Sequence, residues 1–555
     1  MNRPRLQTPD ARGGELTLAD QRQMVAALRR ALQAQHHGAA VETFETHISF
    51  VLVTAEVAYK FKKAVNPGFL DFTTLASRHH DCQEELRLNR RLAPELYLDV
   101  VPITGSPSAP MLDGPGAMID CAVRMRAFPQ DGLWDRIAAR GALQRSHIDA
   151  LIELLVAFHR DAAVADVRDR FGTAQQVRAT MRGTLTALDG ALNGTDHGAR
   201  LHELRAWEEA AFATLEPGFE ERRRDGRVRE CHGDLHLGNV TQIGTRTVVF
   251  DCIEFNDDFR WIDVMSELAF MAMDLQCHGR ADLAHRLVNG YLERSGDYAG
   301  ARVLRYYVVY RALIRARVAT LRASPAASAG GPAAAAAQLR RYLDLALHCS
   351  RPAHPALMIT HGFSGSGKTT LTQGLLESAG AIRIRADVER KRLFGLDATA
   401  RSGSPLNTGL YTRDATAATY ARLCDLAMPV LAGGYGVVLD ATFLRRRQRE
   451  QARRLATAQC VPFVILEFEA DPQTLRERIA QRAARGGDAS EADLQVLSNQ
   501  VRTAEPLGAD EQEIAFRCRP RPVARGEIRT DWAPLLARLA ASTGQLLQPR
   551  TPRPV

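Results

Sequence analysis

Residues Ala356 to Thr370 read Ala-Leu-Met-Ile-Thr-His-Gly-Phe-Ser-Gly-Ser-Gly-Lys-Thr-Thr, an apolar run that breaks into glycines and then into a helix-forming segment. A run of that length fits one buried parallel strand, and the glycines and helix formers after it commit the region to a strand–loop–helix unit. Gly362 to Thr369 has the spacing G-x-x-x-x-G-K-[ST] of a phosphate-binding loop. Gly362, Gly365 and Gly367 let the backbone curl until successive N–H groups point inward, with Ser364 and Ser366 between them. The helix beyond turns its positive end to the same anion. Lys368 can then reach the β- and γ-phosphates, the Thr369 hydroxyl can ligand Mg²⁺, and Thr370 continues the first turn. The bland alternative is a plain glycine turn. We read an ATP or GTP site.

The 555 residues suggest three or four units of ordinary domain size, and 45% hydrophobic with 25% charged residues describes an ordinary globular chain. Met1 to Glu15 has no apolar signal core and no long apolar run occurs later, so no membrane partner is expected. Nine scattered cysteines without a CxxC pair fit reduced thiols in a cytoplasmic protein. The net charge of +8 is made almost wholly of arginine, since only five of the 72 Lys and Arg residues are lysine. That bias, more than a nucleic-acid surface, accounts for the basic balance. Against it, a lysine marks a place that needs a compact ammonium.

Along the chain, Thr17 caps an expected helix from Leu18 to Leu32. Ile48–Thr54 and Val57–Lys63 read as strands around a tight Ala55-Glu56 turn, with Ala58, Lys60 and Lys62 on one face and Lys63 a solvated end. A helix is expected over Arg78–Leu92, carrying Glu84 and Glu85, and strands over Tyr97–Ile103 and Ala117–Phe128. The chain then turns mostly helical, with Ile148–His159 amphipathic.

The second informative stretch is Glu230-Cys-His-Gly-Asp-Leu-His-Leu-Gly-Asn-Val, followed by a strand Thr247–Glu254. H-x-D-x-x-x-x-N ahead of an apolar strand ending in Asp is the catalytic-loop and metal arrangement of kinase-like folds. Asp234 would take the acceptor hydroxyl's proton, while Asn239 and Asp251 would hold Mg²⁺ on the nucleotide phosphates. His159 and His236 read as structural. Helices are expected through Trp261–Leu321. Ala323–Ala337, rich in small residues, reads as a flexible excursion, Gln338–Cys349 as a helix and Arg351–Pro355 as the domain joint.

Here the chain resembles the aminoglycoside phosphotransferase-like kinases. The likeness is to a bacterial branch in which that domain is fused to a C-terminal P-loop domain of AAA, zeta-toxin-like or polynucleotide-kinase-like type. Gly68–Leu75, Glu85–Pro94 and Phe250–Asp257 carry it, and it spans about residues 40 to 510. It implies that Lys60 is the phosphate lysine (Lys62 being the alternative), that Glu85 is its helix partner, and that Val123–Ala127 is the hinge meeting adenine. The chain departs from the pattern in two places. No glycine lies between Gly38 and Gly68, so a glycine-rich phosphate cover is missing, and Asp251 is followed by Cys-Ile.

Past the phosphate loop, strand Ala381–Arg385 delivers Asp387, with Arg390 one helical turn on. This resembles polynucleotide kinases and related small-molecule kinases, and implies that Asp387 activates an acceptor hydroxyl while Arg390 holds an acceptor phosphate or carboxylate. An ordinary helix-start salt bridge is the alternative. Strand Tyr435–Asp440 ends at a Walker-B-like Asp440, a further metal residue. Val461–Phe468 is another strand. Arg478 and Arg482 share a helix face, with Arg485 beyond, in the place of a phosphate-closing lid hinged at Gly486-Gly487.

The expectation is an α/β multi-domain enzyme. Residues 1–38 form a tail and helix. Residues 39–350 form a bilobal α+β kinase-like domain, with a small lobe to about 127, a large lobe from about 128 and the flexible insert 323–337. Residues 351–548 form a three-layer P-loop domain on a parallel sheet. Both would use ATP and Mg²⁺ to phosphorylate a hydroxyl on a small molecule, or, for the C-terminal module, a nucleic-acid 5′ end. The rivals are a nucleotide-driven switch with a degenerate kinase-like sensor, and a nucleic-acid end-processing factor resting on Arg445–Arg447 and the Arg383, Arg385, Arg390, Arg392 cluster.

Overall fold

Apolar alternation makes the first sheet. In the computed structural model, which describes residues 15–546 except 38, 67, 69, 193–195, 323–330, 401, 403–408, 486–487, 520 and 523–527, six antiparallel strands run β1 (Glu42–Glu45), β2 (Ser49–Val53), β3 (Val57–Lys62), β4 (Tyr97–Ser106), β5 (Ala109–Leu112) and β6 (Met118–Arg126). Their spatial order is β1-β2-β3-β6-β4-β5. Along β3, Tyr59 and Phe61 face one side, where helix Leu18–Gln35 buries Met24, Val25, Leu28 and Leu32 against Phe50, Leu52, Val101 and Ile103. Ala58 faces the other side, toward helix Leu75–Asn89, in a core with Cys82, Tyr97, Cys121 and Val123. Period two places Lys60 and Lys62 on that second face.

The N-terminal helix is wired into this lobe. Gln21 Nε2 donates to the Lys62 carbonyl and to Asp120, and Arg78 donates to the other Asp120 oxygen at 2.9 Å, all buried. Leu28 is 2% exposed. Leu28→Ala is therefore expected to lower unfolding free energy by about 2–5 kcal/mol, read by urea denaturation.

Contacts divide the described chain into two compact units, the first being 1–143, 157–172 and 223–267, the second 144–156, 173–222 and 268–555. The first unit adds β7 (Val228–Glu230), the hairpin β8 (Val240–Ile243) and β9 (Arg246–Val249), and β10 (Trp261–Asp263), which pairs with β7. The second unit holds helices Ala281–Ser295, Ala301–Arg322 and Gly331–Ser350, then a five-stranded parallel sheet. Its strands β11 (Leu357–His361), β12 (Ile382–Arg385), β13 (Val437–Asp440), β14 (Phe463–Glu467) and β15 (Ala515–Arg517) lie in the order β12-β13-β11-β14-β15. Val437 to Asp440 are buried throughout, as a central strand covered on both faces requires.

Several expectations are corrected. Lys63 is not a solvated end: it is 6% exposed, its ammonium 2.7 Å from Glu45 and 4.6 Å from the centre of the Phe50 ring, which together replace its water. Trp261–Asp263 is a strand, paired antiparallel with Glu230–Val228. The helix over Glu85 begins at Leu75, where the Thr74 side chain caps it. The strand before Asp251 ends at Val249, because Asp251 itself adopts a left-handed φ of 66°. Residues 331–337 begin a helix, their alanines supplying propensity and Ala335 a buried contact. The rest of the expected excursion, the Gly486-Gly487 hinge and the tail before residue 15 lie outside the described residues.

Candidate phosphotransfer sites

In the first unit, β3 and helix Leu75–Asn89 bring two lysines onto one carboxylate. Lys60 Nζ lies 2.8 Å from Glu85 Oε1, and Lys62 Nζ lies 2.8 Å from Glu85 Oε2. Lys60 also pairs with Asp251 at 2.5 Å, and Lys62 with Glu254. Burial alone would raise the Glu85 carboxyl, but the two ammoniums hold it down at about 2. Burial likewise opposes the Lys60 ammonium, and Asp251 and Glu85 outweigh it and raise its pKa. Asp251 Oδ1 is taken by Lys60, while the side chain as a whole is 42% exposed, leaving a hard oxygen open to an ion.

The hairpin register explains how Asn239 reaches this place. Val240 pairs with Val249, and the Phe250 N–H donates to the Asn239 carbonyl at 3.0 Å, so Asn239 and Asp251 sit at the same open end. Asn239 Nδ2 donates to the Asp234 carbonyl and, at 3.1 Å, to Asp234 Oδ2, closing the loop between them. Buried Glu267 holds the loop's entry by accepting the His232 and Gly233 N–H groups at 2.7 and 2.8 Å, and His159 Nε2 meets its other oxygen at 2.9 Å. His159 and His236 are thus loop supports, His236 accepting the Gly238 N–H. The cover over β2 and β3 is a two-residue turn closed by the Thr54 N–H on the Val57 carbonyl. Strand alternation pointed to Lys62 as the alternative to Lys60, whereas its partner Glu254 and the loop support Glu267 were not singled out by any motif.

The charges of this unit carry a pH dependence. Glu85 is held low by Lys60 and Lys62, Glu230 by Arg87, Arg91 and Arg260, and Glu267 by His159, in each case against the opposing effect of burial. A carboxyl whose folded pKa is depressed contributes stability that is present above its unfolded value and lost as pH falls through the folded one. Acid scans should therefore show the melting temperature of this unit falling from pH 4.5 down toward 2.

In the second unit, β11 runs into a loop whose glycines have φ of 152° (Gly362), 85° (Gly365) and 90° (Gly367). A Cβ on Gly362 would lie 2.5 Å from the Phe468 carbonyl oxygen, and one on Gly365 2.9 Å from that of Leu475, so no larger residue fits either place. Lys368 opens helix Lys368–Ala379, is buried, and donates to the Gly362 and Phe363 carbonyls at 3.0 and 2.8 Å. The Thr369 hydroxyl donates to Asp440 Oδ2 at 2.6 Å. Gln500 clasps Ser364 twice at 2.9 Å, on its N–H and its hydroxyl. The Ser366 hydroxyl is buried without a partner among the described residues. An inward-curled loop with an orphaned hydroxyl and a lysine, beside a hydroxyl–carboxylate pair of hard oxygens, fits a nucleotide phosphate with Mg²⁺.

Asp387 lies in the first turn of helix Ala386–Leu393 and pairs with Arg390 at 3.0 Å, and Arg390 also lies over the Tyr411 ring. On helix Pro472–Arg485, Arg478 donates to the Gly365 carbonyl at 3.4 Å and Arg482 to that of Ala492. Thr370 is exposed, and the Arg485 side chain lies outside the described residues. Of the arginines offered for nucleic acid, Arg383 and Arg385 pair with Glu293, Arg390 with Asp387, Arg392 with Glu389, Arg445 with Glu505 and Arg446 with Glu450, while Arg447 is exposed.

Residues 68–304 match the phosphotransferase enzyme family and residues 357–507 match an AAA domain. An uncharacterized protein of Mycobacterium tuberculosis is 31% identical over 450 residues, covering 81% of this chain and 88% of its own length. The gluconokinase of Gluconobacter oxydans is 28% identical over 168 residues, 29% of this chain and 81% of its own. Among solved structures, a choline/ethanolamine kinase family protein from Mesorhizobium loti covers 59% of this chain and 99% of its own at 12% identity and a TM-score of 0.37. A gluconokinase from Sinorhizobium meliloti covers 35% and 95% at 20% identity and 0.23. This chain belongs to the family of the mycobacterial protein and is an enzyme of the phosphotransferase type, with a phosphotransferase-family domain followed on one polypeptide by a P-loop kinase domain.

Proposed function

We propose that the chain carries two ATP-dependent phosphotransfer sites and works in the cytoplasm, the first domain ending at the Arg351–Pro355 joint. The observation that carries the first site is the meeting of Lys60, Glu85 and Asp251 beside the Asp234–Asn239 loop. Lys60, steadied by Glu85, neutralises nucleotide phosphate; Asn239 and Asp251 would hold Mg²⁺, which would supply further charge neutralisation. Asp234 accepts the proton of the acceptor hydroxyl as its oxygen bonds to the γ-phosphorus and ADP departs.

At the second site the 362–369 loop and Lys368 grip the phosphates, with Thr369 and Asp440 as metal residues. Asp387 accepts the hydroxyl proton and Arg390 meets an acidic group of the acceptor. Arg478 and Arg482 stand on the helix that would close over the phosphoryl group. The similarity to a gluconokinase supports a polyhydroxy acid as acceptor class there. In this reading Arg390 exchanges its bond with Asp387 for the acceptor carboxylate, which frees Asp387 to act as base.

The glycine-free turn between β2 and β3 favours a second reading, in which the first domain senses nucleotide without transferring phosphate. The test is transfer of the γ-labelled phosphoryl group of ATP to sugar acids, amino alcohols and oligonucleotide 5′ ends. It is run on the full chain and on full chains carrying Asp234→Asn or Asp387→Asn. Labelled product lost with one substitution or the other assigns each acceptor to its site. If every product survives Asp234→Asn, the sensor reading replaces the catalytic one for the first domain.

A further inference from the structure

The phosphate-loop sheet is braced by a helix from the preceding family match. Helix Ala281–Ser295 lies within residues 68–304, packs in the same compact unit as the parallel sheet, and presents Asn289 and Glu293 four residues apart on one face. Asn289 Oδ1 accepts the Arg383 main-chain N–H at 2.8 Å. Glu293 lies 3.1 Å from Arg385 and 3.6 Å from Arg383. Arg383 in turn donates to the Thr369 carbonyl at 2.6 Å and to the Thr372 hydroxyl at 3.3 Å. Arg385 also reaches Asp488, at 3.3 Å.

The position of Arg385 sets up a competition. It ends β12 in register with Asp440, the last residue of β13. Residues so paired project from the same face of a sheet, about 5 Å apart. A guanidinium there has Asp440 as an alternative partner, and an Asp440 taken by arginine is lost to a cation. In the structure it is Glu293 that occupies Arg385, while Asp440 pairs with Thr369.

We propose that Glu293 is a positioning residue of the P-loop metal site: its carboxylate holds Arg385 off Asp440 and so keeps Asp440 free for a divalent cation. The helix of one domain thereby sets the metal affinity of the next. The inference rests on the reading of residues 362–369 as a nucleotide site.

The test is Mg²⁺ titration of ATP binding by the full chain, in an Asp251→Ala background so that the P-loop site reports alone. Glu293→Gln keeps shape and hydrogen bonding while removing the charge. It should raise the Mg²⁺ concentration at half-saturation by about tenfold or more, with metal-free ATP affinity held within about twofold. Glu293→Asp should restore most of the loss. Adding Arg385→Gln to Glu293→Gln should return the Mg²⁺ midpoint to within about threefold of the parent, because the competitor is gone; a merely structural pair would be damaged further by the second change. An unshifted midpoint in Glu293→Gln, or a double variant no better than the single, overturns the proposal. Lys368→Ala separates the two readings. If it leaves ATP binding intact, the nucleotide site itself fails; if it abolishes binding while Glu293→Gln has no effect, only the role of Glu293 fails.

Discussion

Replacing Lys368 with alanine is expected to reduce the ATP stoichiometry of the chain from two to one, with affinity at the second site falling by about a hundredfold or more. The lysine does two things that alanine cannot. It donates to the carbonyls of Gly362 and Phe363, fixing the curl that aims the main-chain N–H groups inward. It also brings the compact cation into a buried site, where burial lowers its pKa to about 8 despite Asp440 and Asp387. An ammonium so poorly solvated gains more from an incoming phosphate than an exposed one does. Isothermal titration with Mg·ATP reads the outcome, and two sites of unchanged affinity in the variant would remove the phosphate-loop assignment.

Asp234→Asn should cut phosphoryl transfer at the first site by about 10²–10⁴-fold while ATP affinity changes little. The amide keeps the shape of the carboxylate but cannot take a proton. Nucleotide binding survives because Lys60, Glu85 and Asp251 are untouched and lie in other elements, β3, helix Leu75–Asn89 and the turn after β9. Single-turnover transfer measured beside equilibrium ATP binding distinguishes the two effects. Transfer undiminished in the variant would exclude Asp234 as the base.

Features encoded over a few residues were legible before any fold was seen. The glycine spacing of 362–369 dictates its own backbone, and alternation along β3 puts Lys60 and Lys62 on one face whatever lies opposite. The loop from His232 to Asn239 and the aspartate at 251 were legible in the spacing H-x-D-x-x-x-x-N ahead of an apolar strand ending in Asp. What escaped notice depends on partners far away in the chain. Lys63 is buried because Glu45 and Phe50 surround it, which no reading of Phe-Lys-Lys-Ala reveals. Glu267, 35 residues beyond His232, shows no periodicity or motif that ties it to the loop. The carboxylate partners of Arg383 and Arg385 were out of reach for the same reason, since Glu293 lies about ninety residues earlier in the chain, whereas those of Arg390, Arg392 and Arg446 stand three or four residues away on the same helix.

The bracing of the parallel sheet by helix Ala281–Ser295 constrains how this polypeptide can change over evolutionary time. A recombination that replaced everything after the Arg351–Pro355 joint with a homologous P-loop segment would bring in its own residues at positions 383 and 385, to face a fixed glutamate. Unless the newcomer carried matching cations, it would strand an anion; unless the old helix were retained, a native segment moved elsewhere would strand two cations. The two halves are therefore expected to travel as a matched set, and paired exchanges between position 293 and positions 383 or 385 are where lineages of this arrangement should record their divergence.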